Sequence, residues 1–352
     1  MQFIKPDTNI NFIGFRKVAY LISICLVLIS IVSLIAHKGP RYGVDFEGGT
    51  AIQIKFDGPL PIEDIKKAMP ETGLAQSAVQ RFGDDEDNEF QIRTPQAFMA
   101  DSAFVDQLKA ALTKTTGVGV VDVSVDMVGP QISQDLRKKA LLAMFFALLL
   151  IAIYISGRFE LKWMMSALMA AVIGIPVYFI SQIDKLPFVN VSAGIPFMIL
   201  FALVISIVFC WFLELKYALG AIVALIHDLT ITVGVFSLLN IEFNLPIIAA
   251  LLTIIGYSLN DTIIVYDRIR ENVAKNIRSP LARVINMSIN ETLSRTILTS
   301  TTTLIVVVAL FLFGGGVIHN FALAMLIGIV IGTYSSIFVA SPILLAWKSK
   351  EQ

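Results

Sequence analysis

Long apolar runs decide what this chain of 352 residues can become. There are eight, at residues 18–36, 140–156, 164–180, 195–212, 218–239, 245–266, 296–313 and 321–347, each near the ~20 residues that a helix needs to cross about 30 Å of hydrocarbon. Backbone N–H and C=O groups in lipid have no water to bond, so each run must satisfy its own groups as a helix. The chain therefore reads as a polytopic α-helical membrane protein. A content of 56% hydrophobic and 15% charged residues is too apolar for a soluble protein of this length. Lysine plus arginine and aspartate plus glutamate number 27 each, so no bulk charge draws the chain to nucleic acid.

The few potential metal ligands are scattered. Cys25 and Cys210 each lie inside an apolar run and read as small hydrophobes, with no disulfide. His37, His227 and His319 are far apart, so neither a metal site nor a cofactor is expected. Lys5, Arg16 and Lys17 precede the first run, which ends at His37 without a small-residue cleavage motif, so that run is expected to be a retained span.

Between the first and second runs the composition changes. Residues 37–139 are polar, with an acidic cluster at Asp84, Asp85, Glu86 and Asp87, and read as one soluble domain. Residues 50–56 alternate as a strand and 61–69 are amphipathic at helical spacing. Residues 77–82 and 89–93 form a hairpin across the acidic turn, 101–114 a second helix and 120–128 a last strand. The order βαββαβ points to a ferredoxin-like α+β sandwich. The domain organisation expected is an N-terminus and first span at 1–36, the soluble domain at 37–139, a transmembrane bundle at 140–347 and a short tail at 348–352.

Basic residues orient the spans. Lys5, Arg16 and Lys17, then Arg158 and Lys162, Lys216, the group from Arg268 to Arg283, and Lys348 with Lys350 all fall on one side, while the short turns on the other side hold only Lys185. The positive-inside rule then puts both termini in the cytoplasm and the large domain outside. Residues Phe146–Leu149 with Phe159–Trp163 are echoed by Phe201–Val204 with Leu213–Tyr217, about 55 residues on. This reads either as a tandem copy of a span–loop–span unit or as chance similarity between apolar segments.

Ionisable groups at lipid depth cost several kcal/mol by most scales and mark function by default. Asp261 is the first. At about 1.5 Å per residue it lies roughly 22 Å from the start of its helix, and it shares a face with Tyr257 and Ser258. The following helix carries Ser288, Thr292, Arg295, Thr299 and then Thr302 or Thr303 at helical spacing, which turns the Arg295 guanidinium toward Asp261. The competing reading has Arg295 snorkelling to the headgroups. His227 and Asp228 sit midway along another span, as a functional pair or as a neutral pair that holds helices together. Asp267, Arg268, Arg270 and Glu271 read more simply as interface charge. Burial favours the neutral form of a carboxyl group and a nearby guanidinium favours the ionised form. A change in their separation therefore takes up and releases a proton. Each proton crossing the membrane potential yields about 2.3 kcal/mol per 100 mV.

Several ordered motifs carry a resemblance. They are Gly43-Val44-Asp45-Phe46-Glu47-Gly48-Gly49-Thr50, Val128-Gly129-Pro130, Ala224-Leu225-Ile226-His227-Asp228, Gly256-Tyr257-Ser258-Leu259-Asn260-Asp261-Thr262, Asp267-Arg268-Ile269-Arg270-Glu271-Asn272, Thr292-Leu293-Ser294-Arg295-Thr296 and Gly332-Thr333-Tyr334-Ser335-Ser336. Over nearly its whole length the chain resembles the SecF subunits of the bacterial SecDF protein-export complex, within the resistance-nodulation-division superfamily. The resemblance implies a bacterial inner-membrane protein that works with SecD and the SecYEG translocon, together with its accessory membrane proteins. It also implies use of the proton-motive force to assist export of unfolded polypeptide. It places Asp261 and Arg295, and with them Asp228, in a proton pathway; the residues themselves add Tyr257, Ser258, Asn260, His227 and Thr299 as a supporting polar face. Gly43, Asp45, Phe46, Gly48 and Gly49 form the signature of the extracytoplasmic domain. The pattern implied has six spans, with one basic loop leading straight to the His-Asp helix. Here an extra hairpin at about 164–212 intervenes, with no intramembrane charge on either span, and is expected to lie peripherally.

Two other functions suit parts of the pattern. A proton-coupled half-transporter of the same superfamily exporting lipid or small molecules would use the same carboxylate. An intramembrane aspartyl protease built on Asp228 and Asp261 would need a Gly-x-Gly-Asp signature that is absent, and would not want the interior arginine.

Overall fold

The computed structural model describes residues 8–74, 77–82, 88–95, 102–160, 163–181, 185–186, 189–190, 204–205, 207–208 and 210–346. Among these residues, six helices are long and apolar enough to cross a membrane: Arg16–Ala36, Pro130–Glu160, Lys216–Leu238, Leu245–Lys275, Leu281–Phe313 and Ile318–Ala346. They match six of the eight expected runs. The run at 164–180 is the helix Trp163–Ser181, with Pro176 inside it. Most of the run at 195–212 and the acidic turn at 84–87 lie outside the described residues.

In chain order, α1 (Arg16–Ala36) leads to the short α2 (Val44–Glu47) and then to a sheet with two helices. These are β1 (Gly49–Phe56), α3 (Ile62–Ala68), β2 (Ala78–Phe82), β3 (Glu89–Thr94), α4 (Ser102–Thr116) and β4 (Val120–Val128). The sheet order is β2-β3-β1-β4, with every neighbouring pair antiparallel. Register puts Ile52 opposite Ile92 and Val125, and Ile54 opposite Phe90 and Val123. That period-two row faces α3 and α4 and forms a closed core with Ile65, Leu108 and Leu112. The opposite face carries Gln80, Gln91 and Gln53 in one cross-strand row.

The membrane elements are α5 (Pro130–Glu160), α6 (Trp163–Ser181), α7 (Lys216–Leu238), α8 (Leu245–Lys275), α9 (Leu281–Phe313) and α10 (Gly315–Ser335), the last continuing through a π-helical turn at Ser336–Ala340. Pro342, which lacks an N–H, follows this turn, where the helix widens. The charged segment 267–295, which joins two of the expected runs, is helical at both ends. Lys275 pairs with Glu271 and Arg268 with Glu271 at helical spacing, so α8 runs on past the apolar stretch. After Pro280 at its N-cap position, α9 begins.

The end of α5 meets α7 and α8 directly. Glu160 accepts a hydrogen bond from the Tyr217 backbone N–H at 3.0 Å, Arg158 donates to Asp267 at 2.5 Å, and Arg270 donates to the Arg158 carbonyl at 3.0 Å. Phe159 stacks on Tyr217 and meets Tyr266 edge-on. Helix α6 packs along α5, burying Ala170, Ile173 and Val177, and leaves Met164, Leu168, Val172 and Phe179 exposed.

Candidate functional site

Three helices converge on Asp228. It follows His227 on α7, which buries nearly its whole circumference because α1, α5, α8 and α10 surround it. Asp228 is 0% exposed. One carboxylate oxygen is 2.9 Å from Nδ1 of His227, and the other accepts from Ser258 of α8 at 2.6 Å and from Ser335 of α10 at 2.8 Å. His227 is 7% exposed, stacks on the Tyr334 ring, and has no partner for its Nε2 among the described residues. Tyr334 in turn donates to the Ala19 carbonyl of α1 at 2.7 Å. This carboxyl group ties three helices together, and both of its oxygens are partnered.

Close approach of α8 and α10 makes that arrangement possible. A Cβ on Gly332 would lie 2.9 Å from the Ser258 Cβ, inside any real contact distance, so glycine is required there.

Asp261 is one turn further along α8 and differs in kind. It is 1% exposed, yet only one oxygen has a partner, the Ser300 hydroxyl of α9 at a long 3.4 Å. Among the described residues its Oδ1 has no hydrogen-bond partner. Ser300 is also 2.7 Å from the Thr333 hydroxyl of α10, and Thr296, one turn before Ser300, is buried with an unpartnered hydroxyl. A carboxyl group in such a place can hold or lose a proton without breaking a network. A fully bonded carboxylate cannot.

The polar stripe on α9 is rotated from the sequence reading. Its buried face is Ser288, Thr292, Thr296 and Ser300, while Arg295 is exposed and Thr299 half-buried. Among the described residues no ion pair within 4.0 Å joins Arg295 to Asp261. Ser300 is the group from α9 that reaches the carboxylate. Tyr257 donates to the Thr299 carbonyl at 3.2 Å and so sits between α8 and α9, apart from the Ser258–Asp228 bond. Asn260 is exposed on another side of α8.

Three contributors escaped the sequence reading. Ser300 and Thr296 lie off the stripe centred on Arg295. Ser335 stands in a recognised motif, but a serine in an apolar run gives no sign of which helix it will face. Asn272 is another surprise. Within the charged stretch at the end of α8 it is buried, and its amide donates to Ser288 at 3.0 Å and to Glu291 at 2.8 Å. Among the described residues no cluster of three or more His, Cys, Asp or Glu side chains could hold a metal.

Comparison with known proteins gives consistent relatives. The profile of the family "Protein export membrane protein SecD/SecF, C-terminal" matches residues 107–181 and 190–350, and that of the "SecD/SecF GG Motif" matches residues 33–59. The protein translocase subunit SecF of Magnetococcus marinus is 40% identical over 98% of this chain and 94% of its own. The same subunit of Vibrio alginolyticus is 37% identical over 98% of this chain and 91% of its own. Among solved structures, SecDF of Thermus thermophilus, described as a translocon-associated membrane protein, superposes with a TM-score of 0.70 at 30% identity. A second SecDF structure, in a super-membrane-facing form, gives 0.56 at 28% identity. This chain is covered at 99% and 100%, and spans 40% of each of those longer chains.

Proposed function

Given that the chain belongs to the SecF family of protein-export membrane proteins, we propose that it is the SecF half of a SecD-dependent machine that uses the proton-motive force to assist Sec-dependent translocation. It makes and breaks no covalent bonds. Its partners on this reading are SecD, the SecYEG translocon and unfolded exported polypeptide. Asp261 carries the proton and Arg295 governs its ionisation through space, from a face of α9 that a neighbouring subunit can cover. Asp228 takes part as the fixed anchor beside it.

The observation that carries the reading is the unpartnered oxygen of a 1% exposed carboxylate on a membrane helix. In energised inverted vesicles, Asp261→Asn is expected to abolish the proton-dependent stimulation of export while the complex still assembles. Retention of full stimulation would remove Asp261 from the pathway.

The architecture extends the reading. The strand order β2-β3-β1-β4 with two helices on one face supports a ferredoxin-like sandwich over residues 37–139, on the extracytoplasmic side. The direct bonds that join the end of α5 to α7 and α8 support a reading with eight spans in which the added hairpin, about 164–212, is peripheral. Deleting that hairpin is expected to leave sidedness and folded yield intact, read by protease protection and gel filtration. Inversion of the sheet domain would refute the topology.

A further inference from the structure

The glycine-rich signature before β1 has no part in the proton site, yet it contacts the helix that carries it. Gly43 donates its N–H to the Phe243 carbonyl at 2.6 Å, and the Phe243 N–H donates to the Arg41 carbonyl at 2.7 Å, closing a parallel bridge between Tyr42 and Phe243. A Cβ on Gly43 would stand 2.9 Å from the Phe243 oxygen, so only glycine allows the approach. Two residues on, Asp45 accepts a hydrogen bond from the Leu245 N–H at 2.8 Å. Leu245 is the first residue of α8.

The first turn of α8 is thereby fully accounted for. Helix starts leave N–H groups without intrahelical partners. Here Asp45 takes that of Leu245, Pro246 has none, the Asn244 side chain takes that of Ile247 at 3.2 Å, and the Asn244 carbonyl takes that of Ile248 at 3.3 Å. One of the caps is supplied by a different part of the chain, and its charge suits the positive end of the helix dipole.

A second tie meets the same loop. Glu242 is 11% exposed and accepts from Arg93 of β3 at 2.7 Å and from Gln80 of β2 at 3.1 Å, with Arg41 at 3.5 Å. Arg93 also pairs with Glu47, at 3.2 Å, in the signature itself. The sheet therefore holds the residues just before α8 through side chains from two strands, while Asp45 holds the first residue of the helix. From Leu245 to Asp261 the helix is unbroken, roughly 24 Å of rise.

We propose that Asp45 and Glu242 are positioning residues that clamp the extracytoplasmic end of α8 to the sheet domain, so that displacement of the sheet is transmitted along α8 to Asp261. The side chains of the glycine-rich signature thereby make the sheet and the proton helix move as one body. An intact clamp holds the Asp261 carboxyl in the Ser300–Thr333 pocket. A released one lets α8 shift and opens that pocket.

The inference rests on the proton-site reading for its meaning, but its test does not. The full-length chain, purified with SecD, is treated with a hydrophobic carbodiimide at fixed pH, and modification of Asp261 is followed by mass spectrometry, with Asp261→Asn as the blank. Asp45→Ala is expected to raise the labelling rate by roughly fivefold, the population factor of one lost cap. Asp45→Asn keeps an acceptor and is expected to restore most of the wild-type rate, which a general loss of fold would not allow. Glu242→Gln, which weakens the second tie, is expected to move the rate in the same direction as Asp45→Ala by a smaller factor. An unchanged rate in Asp45→Ala, or an equal change in Asp45→Ala and Asp45→Asn, would overturn the clamp. If the labelling rates respond while Asp261→Asn leaves export untouched, the clamp stands and the proton-site reading falls.

Discussion

Asp228 and Asp261 are both aspartates at lipid depth, both essentially without solvent exposure, and their surroundings could hardly differ more. Asp228 receives two serine hydroxyls and a histidine, drawn from three helices of the bundle. Asp261 receives one long hydroxyl contact and leaves an oxygen unpaired. Buried polar networks that are fully satisfied fix a structure, whereas a partly satisfied buried group stores a capacity to change state. Depth alone therefore does not distinguish the two carboxyl groups; their hydrogen-bond partners do, and on the proposed reading that difference separates an anchor from a proton site.

The contrast can be broken most directly at function. Asp261→Asn is expected to remove all proton-dependent stimulation of export with little change in folded yield, and an equally complete loss in a well-folded Asp228→Asn would erase the distinction. Next in size is stability. Asp228→Ala strands the Ser258 hydroxyl and removes the bonds from Ser335 and His227, Ser335 keeping the Gly332 carbonyl, and is expected to cost about 2 kcal/mol, at roughly 0.6–1.5 kcal/mol per bond. A thermal shift in mild detergent measures it, and Asp261→Ala should shift much less. Gly332→Ala forces a methyl against Ser258 and is expected to cost about 1–2 kcal/mol through displacement of α10 from α8. A stability equal to wild type would show that the helices can part without disturbing Asp228. Smallest is Ser300→Ala, which removes the one bond to Asp261. It is expected to change stability by less than about 0.6 kcal/mol. Export stimulation should be reduced but retained.

Much of the fold is legible because its signals are local. Apolar runs of spanning length, the alternation of Thr50 to Phe56, and the basic residues flanking Arg16 and Arg268 each depend on neighbours in sequence. Helix ends are less legible: the apolar run stops at Tyr266, yet Glu271 and Lys275 pair along a helix that continues to Lys275. At the site, the carboxylates announce themselves through their cost in lipid, and their partners do not. Arg295 has the right charge to be the neighbour of Asp261, and a guanidinium is conspicuous in an apolar run. The azimuth of α9 instead turns Ser300 inward.

The class of the protein, six of its spans, the strands and the positions where charge enters the membrane are readable from sequence, because desolvation and backbone pairing act on every residue regardless of what lies beside it. Which hydroxyls reach which carboxyl group, and that Asp45 caps a helix 200 positions further along the chain, follow from the packing of the helices. Those contacts depend on the rotation of each helix about its axis and on the close packing that Gly43 and Gly332 permit. Neither quantity is written in any one segment.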